Sequence, residues 1–223
     1  MGSYMIRLIL ASASPRRREL LRLLGFSFSV VEPSLKESMA EGGSPEETVR
    51  QLSLEKALEV AKREGEGVVI AADTLVVLGN RVLGKPADPG EAVEMLCLLR
   101  GKRHKVYSAV TLLDASSGEA ETAVTETTVR IRRYSDEAIY RYVARGEPFD
   151  KAGGYAIQDR EFRPASRVEG CYANVMGLPL CDLSLLLARR GVLSPLGPNE
   201  VCQALTGYRC PWAGPIWGLR RNR

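Results

Sequence analysis

The stretch Leu8-Ile-Leu-Ala-Ser-Ala-Ser-Pro-Arg-Arg-Arg18 decides how the first part of the chain folds. Its first four residues are apolar and predict a buried strand over 8–11. The residues after the strand predict a helix, because Ser14 is a favoured N-cap and Pro15 fits the first helical position. A strand that passes directly into a helix is the opening unit of an α/β fold.

Three arginines begin this helix, at the end where the helix dipole is positive and cations are unfavourable. A local rule that is broken so plainly indicates a functional site. A bound anion would remove the conflict, since free amides at a helix start and neighbouring arginines both bind phosphate. We therefore interpret Arg16 and Arg17 as phosphate ligands and Arg18 as a solvated side chain.

Helical and strand patterns alternate along the rest of the chain and predict an α/β fold. Two capping boxes, which begin at Ser44 and Asp88, mark the starts of helices. The first helix is expected over 16–24, and the others over 44–63, 88–101, 135–146 and 178–190. Further strands are expected over 67–78, 82–83, 105–114 and 119–133, and short strands are expected within the loop-rich stretch over 150–171.

One domain is expected over residues 1–193, followed by an extension over 194–223. The extension is rich in proline and glycine and contains both tryptophans of the chain, and we expect it to pack on the body of the domain. No apolar run is long enough to span a bilayer, and the N-terminal residues lack the pattern of a signal peptide. We therefore expect a cytoplasmic protein with no membrane partner.

The composition argues against several classes of function. The chain has 223 residues, of which 45% are hydrophobic and 26% charged, as is usual for a globular protein. A net charge of +4 suits a small anionic ligand, but no basic stripe with interleaved aromatic residues indicates a nucleic-acid partner. One histidine, and five cysteines without a C-x-x-C pair, argue against a zinc site and against histidine-dependent nucleophilic catalysis. Acid–base chemistry then falls to carboxylates, lysines or metal-bound water.

Asp73 interrupts the apolar run over 68–78. A carboxylate at this place is costly unless it is paired or binds a cation. Asp73 is either a general base or cation ligand, or a strand-end residue hydrogen-bonded to backbone amides, and the sequence alone favours neither. The neighbouring Thr74 supports either role.

Lys56 lies on the apolar face of the helix over 44–63, where its ammonium group would ordinarily reach solvent along an extended side chain. Lys85 stands between a glycine and a proline, a pattern that most often marks a surface turn. Glu37 lies in a polar loop. Each of the three has a functional alternative, because lysines and carboxylates together can hold a polyphosphate and a divalent metal ion.

The stretch over 149–158 combines a glycine hinge with a cation at Lys151 and an amide at Gln158. A glutamine side chain both donates and accepts hydrogen bonds and can therefore read the edge of a nucleobase. The alternative is a hairpin with ordinary polar side chains. The P-loop motif and the Gly-x-Gly-x-x-Gly motif are both absent from the sequence, which argues against those two types of nucleotide site.

Six short segments keep a characteristic order and spacing: Ser12–Arg17, Glu55–Ala57, Ala72–Thr74, Gly84–Pro86, Gly146–Gly153 and Gly177–Leu180. In this combination the chain resembles the Maf family of nucleoside triphosphate pyrophosphatases, whose members are also described as septum formation inhibitors. The resemblance covers about residues 6–190. It implies a mixed, twisted sheet in two lobes around a central cleft, as in inosine triphosphate pyrophosphatases. It also implies hydrolysis of a nucleoside triphosphate to the monophosphate and pyrophosphate with a divalent cation, Mg²⁺ or Mn²⁺.

The resemblance further implies roles for individual residues. Asp73 matches the proton acceptor of the family, and Glu37 matches an acidic position, so these two are the expected metal ligands. The phosphate-facing positions of the family match Ser12, Arg16, Arg17, Lys56 and Lys85. Because the triphosphate would lie across the start of the first helix, the substrate-binding set also includes Ser14 and, from the glycine-hinged stretch, Lys151.

Within the family, the segment over 150–158 is similar to that of the branch acting on dTTP and UTP, and modified pyrimidine nucleotides fit the same expectation. Arg16, Thr74 and Gln158 fall at the specificity positions of this branch. The chain departs from it at Asp159-Arg-Glu161, where glycines are usual. Three alternatives stay open: the branch acting on 7-methylguanosine triphosphate, a non-catalytic nucleotide-binding regulator of septum formation, and an interaction module that docks through its aromatic tail. A homodimer stays open as the state of assembly.

Overall fold

The computed structural model describes residues 6–35, 43–207 and 210. The strands are β1 (Leu8–Ala11), β2 (Ser29–Val30), β3 (Val68–Leu78), β4 (Arg81–Leu83), β5 (Arg103–Asp114), β6 (Ala120–Ile131) and β7 (Ala165–Glu169). The α-helices are α1 (Pro15–Leu23), α2 (Pro45–Glu64), α3 (Pro89–Leu99), α4 (Asp136–Ala144), α5 (Tyr172–Val175), α6 (Leu180–Arg189) and α7 (Pro198–Thr206). The sequence-predicted elements agree with these bounds to within a residue or two at each end.

The seven strands form one mixed sheet in the order β2-β1-β3-β5-β6-β7, with β4 paired to the far part of β3. β1 is parallel to both of its neighbours, and the remaining pairs are antiparallel. β3, β5 and β6 are long because each continues past the short parallel part of the sheet. The α/β fold with a mixed sheet is confirmed.

Both faces of the sheet are buried, which explains why β1 and β3 are apolar at nearly every position. On one face, Leu8 and Leu10 pack in the main core with residues of α1, α3, α4 and α6. On the other face, Ile9 packs against Ala57 and Val60 of α2. Successive side chains of β1 therefore point to opposite faces of the sheet, and one layer of helices packs against each face.

The helix starts follow the capping signals of the sequence. Ser14 and Ser135 accept hydrogen bonds from the amides of the first turns of α1 and α4. Ser44 forms a reciprocal capping box with Glu47 at the start of α2. Asp88 caps α3 by accepting from the amide of Glu91, whereas the Glu91 carboxylate accepts from the amide of Ala87 instead of that of Asp88. These caps fix the entry of each helix from the edge of the sheet.

Three elements were not predicted from the sequence: β2, α5 and α7. The first two have only two and four residues, too few for a periodic pattern. α7 lies within the stretch that the composition marks as rich in proline and glycine, and its start follows Gly197-Pro198. Short or interrupted elements of this kind are defined by tertiary contacts rather than by local pattern.

The described part of the C-terminal extension packs on the body of the protein. The hydroxyl of Ser194 and the amide of Leu196 both donate hydrogen bonds to the carbonyl oxygen of Leu24, at 3.2 Å each. Val201 of α7 is buried in the main core. Both tryptophans of the extension lie outside the described residues. No described helix is both long and apolar enough to cross a membrane.

Candidate active site

A cleft of about 260 Å³ opens at the end of β1 and along β3. The start of α1, one residue of α2, the loop over 150–158 and the turn before α6 form its walls. The predicted site residues among the described ones all line this cleft: Ser12, Ser14, Arg16, Arg17, Lys56, Asp73, Thr74, Lys85, Lys151 and Gln158. Glu37, the other predicted metal ligand, lies outside the described residues.

The sheet register brings the start of α1 close to Asp73. β1 and β3 are parallel neighbours, and Ala11 at the end of β1 is the partner of Ala71. The chain turns away from the sheet at Ser12, whereas β3 continues straight on past this point. Ser12 and Asp73 therefore lie at the same edge of the parallel part, although they are far apart in sequence.

Lys56 and Asp73 form a buried ion pair in the wall of the cleft. The Nζ atom of Lys56 lies 2.5 Å from Oδ1 of Asp73, and the two residues are 9% and 5% exposed. Asp73 points to the α2 side of β3, and Lys56 reaches it from the buried face of that helix. Both simpler alternatives are wrong: Lys56 does not extend to solvent, and Asp73 is held by an ammonium group rather than by backbone amides.

The second carboxylate oxygen of Asp73 has no hydrogen-bond partner among the described residues. Pairing with Lys56 compensates much of the desolvation of the carboxylate. Because Asp73 also lines the cleft, Oδ2 is the carboxylate atom left for a ligand or a water molecule. The arrangement suits proton transfer at a fixed position.

Arg17 connects strand β3 to the turn before α6 at the floor of the cleft. Its guanidinium group donates to the carbonyl oxygens of Gly177 and Ala72, each at 2.8 Å, and to Oγ1 of Thr74 at 3.0 Å. Thr74 is in turn 2.9 Å from the hydroxyl of Ser108 on the next strand. Three of the donors of Arg17 are therefore committed to protein acceptors. These contacts hold β3 against the turn before α6, and the role of Arg17 as a phosphate ligand stays a prediction.

Arg16 crosses the cleft entrance to Asp150. Its Nη1 atom lies 2.8 Å from Oδ2 of Asp150, and its Nη2 atom donates to the backbone carbonyl of the same residue at 3.2 Å. Oδ1 of Asp150 accepts from Nζ of Lys151 at 2.5 Å, and the carbonyl of Glu147 accepts from the same Nζ. Partial burial by itself raises the pKa of Asp150, but the hydrogen bond from Lys151 and the charge of Arg16 outweigh it and lower the pKa.

Asp150 is a cleft residue that sequence reasoning missed. It stands in the glycine-hinged stretch, next to Lys151, which was singled out for its charge. Asp150 could have been predicted because cationic side chains that line one cleft usually have a carboxylate as a partner. In the structure, Asp150 joins the start of α1 to the loop that carries Gln158.

Ser12 and Ser14 shape the turn between β1 and α1. The Ser12 hydroxyl oxygen accepts from the amide of Ser14 at 3.1 Å, and the Ser14 hydroxyl oxygen accepts from the amide of Arg17. Ser12 is buried. Its hydroxyl proton is still available to an acceptor in the cleft.

Lys85 and Gln158 each present to the cleft a polar group that has no hydrogen-bond partner in the described part of the protein. Lys85 is exposed and forms no hydrogen bond or ion pair within the described ranges. Oε1 of Gln158 is buried and lacks a hydrogen-bond partner there. An uncompensated cation and an unused amide acceptor are groups that a ligand can satisfy.

Asp159 fixes the loop after Gln158, at the point where the chain departs from the glycine pattern. Its Oδ1 atom accepts from the backbone amides of Phe162 at 2.6 Å and Glu161 at 3.1 Å. Its Oδ2 atom accepts from Nη2 of Arg145 at 2.7 Å. Burial favours the neutral form of Asp159, but these hydrogen bonds outweigh it and lower the pKa. The Asp159 carboxylate therefore stabilises the turn at a place where the sequence pattern described above has glycines.

A second anchor holds the same loop from below. The amide of Ala156 donates to the hydroxyl of Tyr142 at 2.8 Å, and the hydroxyl of Tyr155 lies 2.7 Å from Nε2 of His104. His104 is buried, and burial lowers its pKa to about 4. The imidazole is therefore neutral at pH 7 and serves as a structural partner of the cleft wall.

The described residues contain no cluster of three or more histidine, cysteine, aspartate or glutamate side chains that could hold a metal ion. The cleft instead combines one buried carboxylate with several cationic side chains. Such a site can bind a polyphosphate and accept a proton beside it.

The sequence model of a family described as "Maf-like protein" matches residues 7–190. A dTTP/UTP pyrophosphatase of Dehalococcoides mccartyi is 43% identical over 193 residues, which cover 86% of this chain and 86% of the relative. The corresponding protein of Pelotomaculum thermopropionicum is 45% identical over 84% of this chain and 98% of its own length. That of Thermomicrobium roseum is 49% identical over 92% of this chain and 94% of its own. Among solved structures, a HAM1 protein from Coxiella burnetii gives a TM-score of 0.43 at 19% identity, over 58% of this chain and 75% of that one.

Proposed function

The chain belongs to the Maf family, and on this basis we propose that it hydrolyses nucleoside triphosphates, with dTTP and UTP preferred, to the monophosphate and pyrophosphate. The names of the relatives support the activity and the two nucleotides. The observation that carries the proposal for this chain is the buried Lys56–Asp73 pair in a cleft with several cationic side chains.

The triphosphate is placed across the start of α1. Arg16, Lys85 and Ser12 all line the cleft that contains Asp73. Lys85 contributes the charge that no described carboxylate neutralises. Cationic donors at the phosphates stabilise the charge that develops on the departing pyrophosphate.

Asp73 is the proton acceptor in this proposal. A water oxygen attacks the α-phosphorus, the bond from this phosphorus to the oxygen bridging it to the β-phosphorus breaks, and pyrophosphate leaves with that bridging oxygen. The proton of the water passes to Oδ2 of Asp73. The contact of Lys56 with Oδ1 fixes the orientation of the carboxylate and leaves Oδ2 as the oxygen without a described partner.

A divalent cation, Mg²⁺ or Mn²⁺, is part of the proposal. Asp73 and Glu37 are the residues that would hold it, together with phosphate oxygens, since such ions commonly use one or two carboxylates plus the phosphates of a substrate. When bound, the cation neutralises phosphate charge as the leaving group departs.

Gln158 is the proposed reader of the pyrimidine. Its carbonyl oxygen is buried without a described partner, and its amide group can also donate. Asp159 and Arg145 hold the backbone beside it, and Tyr155 lines the same wall of the cleft. The edge of a thymine or uracil ring offers both donor and acceptor groups for such an amide.

The test is a panel of nucleoside triphosphates with the purified protein, with Mg²⁺ and with EDTA, followed by pyrophosphate release. We expect dTTP and UTP to be hydrolysed fastest and EDTA to abolish release. Tight nucleotide binding without pyrophosphate release from any substrate would favour the regulatory alternative. Fastest turnover of 7-methylguanosine triphosphate would overturn the proposed specificity. The domain boundary at residue 193, a homodimeric state, a cytoplasmic location and a role in septum formation stay predictions.

A further inference from the structure

A second cavity, with a volume of about 350 Å³, lies between the end of β6 and helix α4. It shares no lining residue with the nucleotide cleft among the described residues. Four arginines line it: Arg132, Arg133, Arg141 and Arg145. Arg145 also holds the loop of Gln158 through Asp159, whereas the other three arginines play no part in the reaction proposed above.

The positive charge of this cavity is only partly neutralised. Arg145 forms ion pairs with Asp159 and with Glu161, the one carboxylate in the described lining. Arg133 and Arg141 have no ion pair or side-chain hydrogen bond with any described residue. All four arginines are exposed, so water screens their mutual repulsion, and an anion between them would remove the repulsion that is left.

The nearby carboxylates of α4 neutralise this charge only in part. Asp136 is bound to Arg100, whose Nη1 atom lies 2.5 Å from its Oδ1. The side chain of Glu137 interacts with the Ser135 hydroxyl and, more weakly, with the charge of Arg141, and both lower the pKa of this carboxyl. Neither of the two carboxylates lines the cavity.

The floor of the cavity is apolar and packed. The rings of Tyr142 and Phe162 are stacked with their centroids 4.2 Å apart, and the ring of Tyr134 lies 4.6 Å from that of Phe162. Tyr134 and Tyr142 are also held by hydrogen bonds to backbone groups. An apolar floor strengthens the attraction between the arginines and an anion, because it excludes water from one side.

We propose that this cavity binds a small anion of the polyphosphate class, one that carries at least two negative charges. The planar guanidinium groups of Arg133 and Arg141 suit paired phosphate oxygens. The volume fits a compact ligand such as a pyrophosphate group, free or at the end of a nucleotide. Binding at this cavity does not depend on the hydrolytic activity proposed above.

Inorganic pyrophosphate is the probe, and titration calorimetry at low ionic strength is the measurement. The test variant is Arg133→Ala with Arg141→Ala. The matched control is Arg22→Ala with Arg81→Ala, which removes the same charge from two exposed positions outside both cavities. Thermal melting checks that both double variants are folded.

We expect the wild type and the control to bind pyrophosphate at two sites, and the test variant to lose one site and keep its turnover of dTTP. Parallel titrations with dTTP and with free pyrophosphate, both in EDTA so that dTTP is not hydrolysed, distinguish the two sources of the anion, and loss of one site with either ligand supports the proposal. Equal stoichiometry and affinity in all three proteins would overturn it. Binding of a single-stranded oligonucleotide through Arg133 and Arg141, without binding of pyrophosphate there, would overturn it as well.

Discussion

The Nζ atom of Lys56 lies 2.5 Å from Oδ1 of Asp73, although each residue comes from the apolar side of its own element. A buried ion pair adds little net stability, because the desolvation of both charges offsets their attraction. Its presence between α2 and β3 is therefore better explained by the chemistry of the cleft than by folding. The pair fixes one carboxylate oxygen and leaves the other available, which is what a positioned base requires.

Substitution Asp73→Asn should lower kcat for dTTP by about 10²–10⁴-fold, the usual contribution of a positioned general base. Asparagine keeps the size of the side chain but cannot accept the proton of the attacking water. Initial rates of pyrophosphate release measure the effect. Glu94→Gln is the matched control, since Glu94 is an exposed carboxylate of α3 outside the cleft, and it should retain full activity. Near-normal turnover by Asp73→Asn would remove this residue from the mechanism.

Substitution Lys56→Met should destabilise the protein by about 3–5 kcal/mol, because it leaves the Asp73 carboxylate buried without its partner. Equilibrium unfolding in urea measures the loss. Adding Asp73→Leu to Lys56→Met removes the stranded charge, and we expect the double variant to recover most of the lost free energy of unfolding while remaining inactive. If the double variant is less stable than Lys56→Met alone, the ion pair is not the source of the effect.

Substitution Gln158→Ala should reduce the preference for dTTP over dGTP, because the proposed contact with the pyrimidine edge is lost. The ratio of kcat/KM for the two nucleotides measures this preference. Arg145→Ala should shift the ratio in the same direction but less, since Arg145 acts on the loop only through Asp159. A ratio unchanged by Gln158→Ala would show that another residue selects the base.

The order of the main elements could be predicted from the sequence because the signals are local. The Ser44 capping box and the alternating apolar positions of β6 each act within a few residues. β2 depends instead on its pairing with β1, and α7 on the packing of Val201 in the main core. Local pattern does not contain this information.

The site residues likewise include features that the local sequence predicts and features that depend on the tertiary fold. The residue types of Asp73 and Lys56 could be recognised as unusual, but their pairing depends on how α2 packs against β3. The commitment of Arg17 to Gly177 and Ala72, and the link between Arg16 and Asp150, also arise from the tertiary fold. Asp159 is the clearest case: sequence showed a departure from glycine, and only the structure shows that its carboxylate forms the turn.

Protonation of His104 should weaken the protein between neutral pH and about pH 4. His104 is the only histidine of the chain, it is 2% exposed, and its Nδ1 atom is buried without a partner in the described structure. Burial lowers its pKa to about 4, whereas an unfolded chain titrates histidine near 6.5. The unfolded state therefore binds the proton first as the pH falls, and stability that is complete above pH 6.5 is lost on the way to pH 4.

The expected loss between pH 7.5 and 4.5 is about 2–3 kcal/mol in the free energy of unfolding, from the difference between the two pKa values. Urea unfolding at both pH values measures it. The window separates this effect from that of Asp150 and Asp159, because a carboxylate with a lowered pKa loses its contribution only below the unfolded value near 3.9. His104→Gln keeps an amide beside Tyr155 but does not titrate, so its stability should change much less over the same window. An equal pH dependence in the two proteins would assign the loss to other groups, and His104 would then be a packing residue without electrostatic consequence.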